Sequence, residues 1–346
     1  MYEIKRIAID TSKSVFTLHA VDGGERAVWR GNLRRRELLN FFAKQPPVEV
    51  VLEACGGSHH WGRCLLALGH RVRLLPAQYV KPFVKRGKND RNDAEAISVA
   101  AAQPSIGSVP VKSVEQQAAA MLLSVRELLV RQRTQLVNAL RGHAAELGVV
   151  APLGNKGLAA LRREIAAADE TAVPVPAKQA IVLLGHQADR LERQLAAIEV
   201  RLMQQHKANP LSRRLATIPG VGPISALSFS LRVDPRQFKS GRHLAAWLGL
   251  VPRERSTAGK QRLGAISRAG NERLRQLLVL GATAVIRYAK PRPAAPGRPA
   301  ASSWLLQLLG RKPRKLAAVA LANKMARILW AMMTSGEVYR LRPAAV

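Results

Sequence analysis

Four carboxylates stand where apolar elements begin or end, and their placement constrains the fold more than any other feature of the chain. Asp10 ends one strand-like apolar run, and Glu53 follows another. Asp90 and Asp93 lie three residues apart at the predicted start of a helix, so their side chains share a helix face. Glu95 is roughly 200° around that helix from Asp93 and is not expected to join them. A lone acid after a strand is usually a turn or cap residue, whereas this set predicts one acidic site.

The elements around these carboxylates are predicted to follow the order strand, strand, strand, helix, strand, helix, strand. The turn Asp22-Gly23-Gly24 predicts an antiparallel hairpin, and Val48–Ala54 is as apolar as a strand buried on both faces. This order is that of an RNase H-like α/β fold, in which the first and fourth strands are neighbours, so Asp10 and Glu53 would reach one metal ion. The predicted elements are Lys5–Asp10, Val15–Val21, Arg26–Leu33, Arg34–Lys44, Val48–Ala54, His59–Leu68 and Arg71–Leu75.

The charge balance indicates what the acidic site is for. Among 346 residues, 55 Lys and Arg outnumber 23 Asp and Glu, and the formal net charge of +32 predicts a polyanionic partner. Divalent cations, Mg²⁺ above all, shared with DNA phosphates account for clustered acids in so basic a protein. We expect no membrane association, since no run approaches the about 20 apolar residues of a spanning helix. Cys55 and Cys64 lack metal-ligand spacing and predict reduced thiols in the cytoplasm.

Two long helices are predicted in the middle of the chain. Residues 114–147 have an amphipathic pattern, and the segment after them is rich in Ala and Pro as far as Pro176. The spacing 4-3-4-3-4 of a short coiled-coil seam then predicts either an antiparallel hairpin with the helix at 114–147 or a dimer interface, and the sequence favours neither. The residues of the seam are Leu184, Ala188, Leu191, Leu195, Ile198 and Leu202.

Two C-terminal features are typical of DNA binding. Ile218-Pro219-Gly220-Val221-Gly222 has the pattern of a helix-hairpin-helix, in which Gly220 and Gly222 permit a turn that exposes backbone N–H groups to a phosphate, although a plain packing turn has the same pattern. Residues 239–315 contain 17 Lys and Arg but only two acids. Residues 251–270 form a basic, glycine-punctuated loop, and its candidate nucleic-acid-binding residues are Arg253, Arg255, Lys260, Arg262 and Arg268.

Further helices are predicted in the last hundred residues. A helix over 238–250 precedes the basic loop, and three more follow it at Asn271–Tyr288, Trp304–Leu309 and Leu316–Met333. Between them, the proline-rich stretch Pro291–Pro299 predicts a flexible excursion.

Seven short motifs spread over nearly the whole chain resemble those of one protein family. They are Ile9–Lys13, Leu52–Ala54, Lys88–Ala94, Ile218–Gly222, Trp247–Pro252, Gly264–Gly270 and Ala320–Lys324. The chain is similar to the DEDD-type insertion-sequence transposases, a family described as bridge-RNA-guided recombinases. Each motif alone is weak, whereas their combination in this order is highly specific.

The resemblance implies three domains. The first, residues 1–110, would be a RuvC-like, RNase H-like α/β domain that carries the acidic site. The second, residues 111–207, would consist of long coiled-coil helices. The third, residues 208–346, would be a mainly α-helical transposase domain with the helix-hairpin-helix and a catalytic serine loop.

The resemblance also implies the catalytic residues. The DEDD carboxylates, which would hold Mg²⁺, correspond to Asp10, Glu53, Asp90 and Asp93. The catalytic serine of the family corresponds to Ser256, in the loop after Trp247–Pro252. Ser267 remains the alternative nucleophile, although its place before a predicted helix also suggests an N-cap.

The implied function is transposition of an insertion sequence. Ser256 would attack a DNA phosphodiester and form a phosphoserine linkage, assisted by the Mg²⁺-bound carboxylates. The implied partners are donor and target DNA and a structured guide RNA from the element's end, which selects the target by base pairing. We expect a homodimer that forms a tetramer in the synaptic complex, in the bacterial cytoplasm at the nucleoid.

Two other functions fit parts of the sequence. A RuvC-like junction nuclease would use the carboxylates to hydrolyse DNA with water, and the serine loop would then only bind. A catalytically inert nucleic-acid-binding protein would use the basic surface alone. Covalent attachment to DNA separates the recombinase from the nuclease, and magnesium-dependent activity separates both from the inert protein.

Overall fold

The computed structural model describes residues 3–85, 89–257, 259–289 and 302–340. The chain divides into two compact units, one comprising Met1–Gln117 with Asp234–Lys239 and the other Ala118–Val233 with Ser240–Val346. The first unit is mixed α/β and the second is mainly helical, as the sequence predicts. The finer division into three domains stays a prediction. The proline-rich stretch predicted to be flexible lies outside the described residues.

A five-stranded sheet is the framework of the first unit. Its strands are β1 Arg6–Asp10, β2 Val15–Val21, β3 Ala27–Arg34, β4 Glu49–Glu53 and β5 Arg71–Leu75. Their order in the sheet is β3-β2-β1-β4-β5, with β1 antiparallel to β2 and parallel to β4. The predicted pairing of the first and fourth strands is therefore confirmed.

Helices cover both faces of this sheet. They are α1 Leu38–Phe42, α2 Ser58–Ala67, α3 Ala77–Val80 and α4 Asp90–Ala102. Because side chains alternate along a strand, Ile7 and Ile9 of β1 join one core with Trp61 of α2, whereas Ala8 joins a second core with Ile97 of α4. The central strands are thus buried on both faces, which explains their continuous apolar sequences.

Two long helices in the middle of the chain run antiparallel. They are α5 Val114–Glu146 and α7 Val175–Ala208, and the shorter α6 Asn155–Ala167 lies between them in the chain. Arg126 of α5 lies 2.6 Å from Glu199 of α7, and Arg133 lies 3.4 Å from Glu192. Moving seven residues along α5 therefore moves seven residues backwards along α7. Of the two alternatives for the apolar seam, the antiparallel hairpin is the one observed within the chain.

The sequence did not predict α6. Its apolar residues Leu161 and Ile165 pack with Leu140 of α5 and Ile181 of α7 in one core, so the helix closes the loop end of the hairpin. The Ala- and Pro-rich composition of the surrounding segment obscured a short helical period. Packing of this apolar face on the hairpin stabilises the helix.

The C-terminal part of the second unit consists of helices and one small sheet. Its elements are α8 Pro210–Leu215, α9 Pro223–Arg232, α10 Gly241–Trp247, β6 Pro252–Glu254, β7 Leu263–Ile266, α11 Glu272–Tyr288, α12 Ser303–Arg311 and α13 Arg314–Ser335. The three last helices match the predicted ones closely, whereas α10 is shorter than predicted. The expectation of a loop throughout 251–270 is wrong, because β6 and β7 pair antiparallel there.

One helix of the described residues, α13, is long and apolar enough to cross a membrane, with a mean hydropathy of 1.3. A run of this character was not predicted from the sequence. Ala322, Met325 and Leu329 of this helix are buried, and it packs against α10 and α11. This packing is that of a core helix of the second unit.

Candidate active site

Strand register brings Asp10 and Glu53 to the same edge and face of the sheet. Ile9 of β1 pairs with Leu52 of β4, and one step further along both parallel strands lie Asp10 and Glu53. Alternation puts these two side chains on the face of Ala8 and Val51, which is the face covered by α4. The sheet therefore directs both carboxylates towards the same helix.

The start of α4 supplies the other two acids. Asn89 is the N-cap, its side chain accepting a hydrogen bond from the backbone N–H of Arg91 at 3.1 Å. Asp90 is the first helical residue and Asp93 lies one turn later, so both side chains project at the same end of the helix. A negative side chain is favourable here, since the helix N-terminus carries a partial positive charge.

Three of the four predicted carboxylates form a group of metal-ligand dimensions. One oxygen each from Asp10, Asp90 and Asp93 lies within 4.8 Å of the others. Among the described residues this group does not include Glu53. Glu53 is nevertheless close, because it follows Leu52, the register partner of Ile9; burial and then the charge of Asp93 raise the pKa of its carboxyl. The structure thus brings three of the predicted carboxylates together and places the fourth beside them.

The electrostatics of this acidic group are those of a site that favours a cation. Burial first, and then the charges of Asp93, Asp90 and Glu53, raise the pKa of Asp10 to about 6. Repulsion among carboxylates costs free energy that a bound divalent cation removes. Carboxylate oxygens are also the ligands that Mg²⁺ and Ca²⁺ prefer. The donor set and its spacing therefore fit a divalent metal ion.

Glu95 does not belong to this acidic group. Its carboxylate lies 2.7 Å from Lys85 and 3.4 Å from Arg30, and these cations lower its pKa. The helical geometry that separates Glu95 from Asp93 in the sequence analysis is confirmed.

Ser256 lies in the connection between β6 and β7 and is exposed. Its hydroxyl donates a hydrogen bond to a carboxylate oxygen of Glu254 at 2.9 Å and accepts one from the backbone N–H of Arg262 at 3.2 Å. In the sequence, Glu254 stands out only as one of two acids in a basic segment. Its place two residues before the serine was the signal for a serine partner.

The hairpin that carries Ser256 is fixed at its base by close backbone packing. Gly270, with φ 65°, is so close to Trp247 that a Cβ would lie 1.7 Å from the carbonyl oxygen of Trp247. The buried guanidinium of Arg275 donates to the carbonyl oxygens of Leu248 at 3.0 Å and Ala269 at 2.8 Å. Residues before β6 and after β7 are thereby joined, which sets the position of the turn between them.

Ser267, the alternative nucleophile, has a different environment. The N-cap of α11 is Asn271, whose side chain accepts from the N–H of Leu274 at 3.0 Å, so the N-cap expectation for Ser267 is wrong. The backbone N–H of Ser267 donates to Val251 at 2.8 Å, and its carbonyl accepts from Arg253 at 3.2 Å. Its hydroxyl oxygen accepts from the N–H of Ala269 at 3.4 Å.

The predicted nucleic-acid-binding residues of the hairpin are all exposed. They are Arg253, Arg255, Lys260, Arg262 and Arg268. Arg253 is partly committed to Ser267, and Arg268 has a left-handed backbone with φ 57°, which is uncommon outside glycine. Exposed cations around an exposed serine form a surface of the charge that a DNA backbone requires.

The two glycines of the predicted helix-hairpin-helix have different environments. Gly220, with φ 84°, packs against Gly281 of α11, since a Cβ on Gly220 would lie 2.7 Å from the Gly281 carbonyl oxygen. Gly222 is the N-cap of α9 and is exposed. Packing therefore explains Gly220, and phosphate binding at both positions stays a prediction.

The motif Ala320–Lys324 lines a groove of about 940 Å³ next to the hairpin. The Asn323 amide donates to the carbonyl oxygen of Leu250 at 3.2 Å, and Lys324 lies 4.2 Å from the ring centre of Trp304. Pro252 and Ile266 of the hairpin strands line the same groove. The motif thus supports the base of the hairpin.

Family models match the chain in two separate regions. A family model described as Transposase, for DEDD proteins of the IS110 type, matches residues 7–148. A second, described as Transposase IS116/IS110/IS902 family, matches residues 212–296. The first match contains the acidic group, and the second contains the serine hairpin.

Individual relatives match along nearly the whole chain. The putative transposase y4pF/y4sB of Sinorhizobium fredii is 51% identical over 98% of this chain and 86% of its own length. The probable family 20 transposase of Pseudomonas aeruginosa is 44% identical over 97% of this chain and 99% of its own. The transposase for insertion sequence element IS1111A of Coxiella burnetii is 38% identical over 98% and 92%. The chain therefore belongs to the IS110/IS116 family of DEDD transposases.

Proposed function

We propose that this transposase cuts and rejoins DNA through a phosphoserine linkage at Ser256, assisted by Mg²⁺ at the DEDD carboxylates. The observation that carries the proposal is the 2.9 Å hydrogen bond from the Ser256 hydroxyl to Glu254 on an exposed, cationic hairpin. A serine hydroxyl needs a base to become a nucleophile, and this carboxylate is in reach of its proton. The order of the sheet strands supports an RNase H-like assignment for the first unit.

The reaction proposed for the hairpin balances as a transesterification. The Ser256 proton passes to Glu254 as Oγ bonds to the phosphorus of a DNA phosphodiester. The bond from phosphorus to one deoxyribose oxygen breaks, and that oxygen leaves as a hydroxyl with the proton that Glu254 accepted. A deoxyribose hydroxyl of another strand then attacks the phosphoserine. Its proton passes through Glu254 to Oγ as the bond from phosphorus to Oγ breaks, which frees Ser256 and rejoins DNA. The number of phosphoester bonds is unchanged, so the exchange needs no ATP.

The acidic group would hold the metal. Asp10, Asp90 and Asp93 supply the oxygen ligands, and Glu53 lies beside them. When bound, Mg²⁺ stabilises negative charge that develops on phosphate oxygens during displacement. The carboxylates would fix the position of the metal ion, since two of them come from the ends of strands and two from the start of α4. Mg²⁺ is proposed over other divalent ions because its ligands are usually carboxylate and phosphate oxygens.

The partners follow from the charge and from the family resemblance. Donor and target DNA would bind the cationic surfaces, and a structured guide RNA from the element's end would select the target. We further propose a homodimer, a tetramer in the synaptic complex, and location with the DNA at the nucleoid. Sedimentation of the full chain with and without that RNA tests the assembly: a monomer under both conditions contradicts it.

Denaturing electrophoresis of reactions with labelled DNA tests the nucleophile. The protein is incubated with Mg²⁺, element-end RNA, and donor and target DNA. A DNA-linked protein band is expected from the wild type and from Ser267→Ala, and none from Ser256→Ala. A band that persists in Ser256→Ala and disappears in Ser267→Ala would transfer the role to Ser267.

The hydrolytic nuclease is the second candidate, supported by the three clustered carboxylates alone. It predicts DNA cleavage without a protein-linked band, abolished by Asp10→Ala and unaffected by Ser256→Ala. Absence of both cleavage and linkage with every divalent ion would favour the inert nucleic-acid-binding protein.

A further inference from the structure

A cavity of about 260 Å³ opens on the face of the sheet that α4 covers. Its volume is well above the about 30 Å³ that one water molecule occupies. The lining residues come from β2, β3 and the first turn of α4, all within the first unit: Thr17, Leu18, His19, Arg30, Gly31, Asn32 and Arg91. Arg91 belongs to the motif Lys88–Ala94, but the other lining residues lie outside the sequence motifs, and the proposed chemistry does not use this cavity.

His19 is the most informative residue in the cavity wall. Its side chain is buried, with the residue 4% exposed, and among the described residues its Nδ1 has no hydrogen-bond partner. A buried imidazole nitrogen without a partner is costly, and a ligand that enters the cavity would supply one. Burial and then the charge of Arg30 lower the pKa of His19, and a nearby anion would oppose both effects.

The other polar groups of the cavity are suited to an anion. Arg30 and Arg91 contribute two guanidinium groups, and Thr17 and Asn32 contribute a hydroxyl and an amide. No acidic residue is among the described residues that line it. Arg30 also lies 3.4 Å from Glu95, but that carboxylate has a closer cation in Lys85 at 2.7 Å. Donors therefore remain for a phosphate, which guanidinium groups bind with planar, paired hydrogen bonds.

The cavity begins beside the acidic group. Thr17 is the register partner of Asp10 on the neighbouring strand, and Asn32 is the partner of Thr17 on the strand after that. Paired residues on adjacent strands have Cβ atoms about 4.5–5.5 Å apart, so Thr17 adjoins Asp10 directly. From there the polar row crosses the sheet towards its β3 edge. A nucleic-acid backbone with one phosphate at the carboxylates would pass its next phosphates along this row.

We propose that this cavity binds a backbone phosphate of DNA one or a few nucleotides from the phosphate held at the DEDD carboxylates. His19 and Thr17 form the floor, and Arg30, Asn32 and Arg91 form the walls. The site positions the strand, because a second fixed phosphate determines which phosphodiester reaches the carboxylates. The inference rests on the proposed function for its substrate, although it concerns binding alone.

DNA with single neutral methylphosphonate linkages tests the proposal. Affinity of the full chain with element-end RNA is measured by fluorescence anisotropy in Ca²⁺, for duplexes neutralised at each phosphate in turn around the cut site. The wild type is expected to lose about tenfold in affinity, about 1.4 kcal/mol, at one phosphate near the cut. Arg30→Ala should bind unmodified DNA about tenfold more weakly. Neutralising that phosphate should then cause no further loss of affinity, since the contact between Arg30 and the phosphate is already removed.

A matched variant controls for charge. Arg26→Ala removes one cation from the β2–β3 turn, away from the cavity. This variant should retain the full loss of affinity when the sensitive phosphate is neutralised. His19→Phe, which keeps an aromatic ring, should lose the sensitivity as Arg30→Ala does, with thermal melting as the folding check. Equal sensitivity of the wild type and Arg30→Ala at every phosphate overturns the proposal. If the effect of Arg30→Ala is coupled only to methylphosphonates placed in the RNA, the cavity binds an RNA phosphate and the assignment to DNA is overturned.

The salt dependence provides a second measure. Loss of one phosphate contact reduces the slope of log K against log salt by about 0.9, so Arg30→Ala should have the shallower slope. The adduct assay distinguishes this inference from the proposed function. If the affinity measurements couple Arg30 to one DNA phosphate but no protein–DNA adduct forms, the serine chemistry is contradicted and the phosphate-binding site is still supported.

Discussion

Asp10 is the residue whose behaviour depends most on its surroundings. At the end of a buried strand it faces two further carboxylates within 4.8 Å, and burial together with their charges raises its pKa to about 6. A free aspartate has a pKa near 3.9. The group is therefore partly protonated at mildly acidic pH and fully charged only above about pH 7. Metal binding must compete with that proton.

The pH dependence of stability follows from this shift. Between about pH 4 and pH 6 the folded protein binds more protons at Asp10 than the unfolded chain does, so stability without metal falls as pH rises through this window. In EDTA, the fall in Tm from pH 5 to pH 7 should be smaller for Asp10→Asn than for the wild type. Glu170→Gln, which removes an exposed acid, should behave as the wild type. Identical profiles for all three proteins would contradict the assigned repulsion.

Glu254 is expected to act as the base for Ser256. Glu254→Gln preserves the size of the side chain but removes its capacity to take a proton. We expect adduct formation to slow roughly 10²–10⁴-fold, the usual contribution of a general base, while DNA affinity changes little. Single-turnover rates measured with saturating DNA check this. An unchanged rate would show that the Ser256–Glu254 hydrogen bond only orders the free hairpin.

At the scale of elements, the positions of both sites are set where elements meet. Parallel pairing of β1 with β4 places Asp10 and Glu53 at one sheet edge, and packing of α4 on the face of Ala8 brings in the remaining acids. The serine hairpin is joined at its base by Arg275 and by the contact between Gly270 and Trp247. The geometry of each candidate site therefore depends on residues that only pack or hydrogen-bond around it.

Substitution at Gly270 should show this dependence. Gly270→Ala forces a Cβ to within 1.7 Å of the Trp247 carbonyl oxygen in a left-handed conformation, so we expect a loss of at least about 1–3 kcal/mol. Calorimetric melting should show a Tm lower by several degrees, together with reduced adduct formation. Gly310→Ala is the matched control, since Gly310 lies in α12, where no atom of the described residues is within 4 Å of the position that a Cβ would take, and it should be neutral or slightly stabilising. Equal melting temperatures for both variants would contradict the packing argument.

At the scale of the whole molecule, the net charge of +32 and the acidic group act in opposition. Excess cations attract DNA and favour fast association, whereas the carboxylates repel phosphates unless a cation neutralises them. Metal binding is thus expected to couple to DNA binding at the first unit. The same coupling should appear as metal-dependent stability, because a ligand that binds only the folded state stabilises it.

Divalent cation should raise the melting temperature at neutral pH. Mg²⁺ at 100 times its Kd would contribute about 2.7 kcal/mol, and EDTA should reverse the effect. Asp93→Asn is expected to abolish most of the gain, since Asp93 adjoins both Asp10 and Glu53. Glu95→Gln, on the same helix but outside the acidic group, should retain it. A gain equal in all variants would indicate nonspecific ion binding.

Much of the fold was predictable because local patterns carry it. Apolar runs identified the strands of the sheet, and the helical period identified α5, α11 and α13. The short helix α6 was missed because the Ala- and Pro-rich residues around it obscured its apolar period, and β6 and β7 were missed because strands of three and four residues carry little pattern of their own. The choice between a hairpin and a dimer at the apolar seam was likewise open until the ion pair of Arg126 with Glu199 fixed the pairing within one chain.

The order of the elements, the four acids at their ends and the serine in a cationic segment can all be read from the amino-acid sequence, because they depend on local patterns and on motifs that family members share. Which groups meet depends on how the chain folds. The tertiary structure joined three acids closely and left Glu53 beside them, paired Ser256 with Glu254, and set His19 against Arg30 in an unforeseen cavity. Distances between residues remote in sequence follow from strand register and helix packing, which composition and spacing leave unspecified.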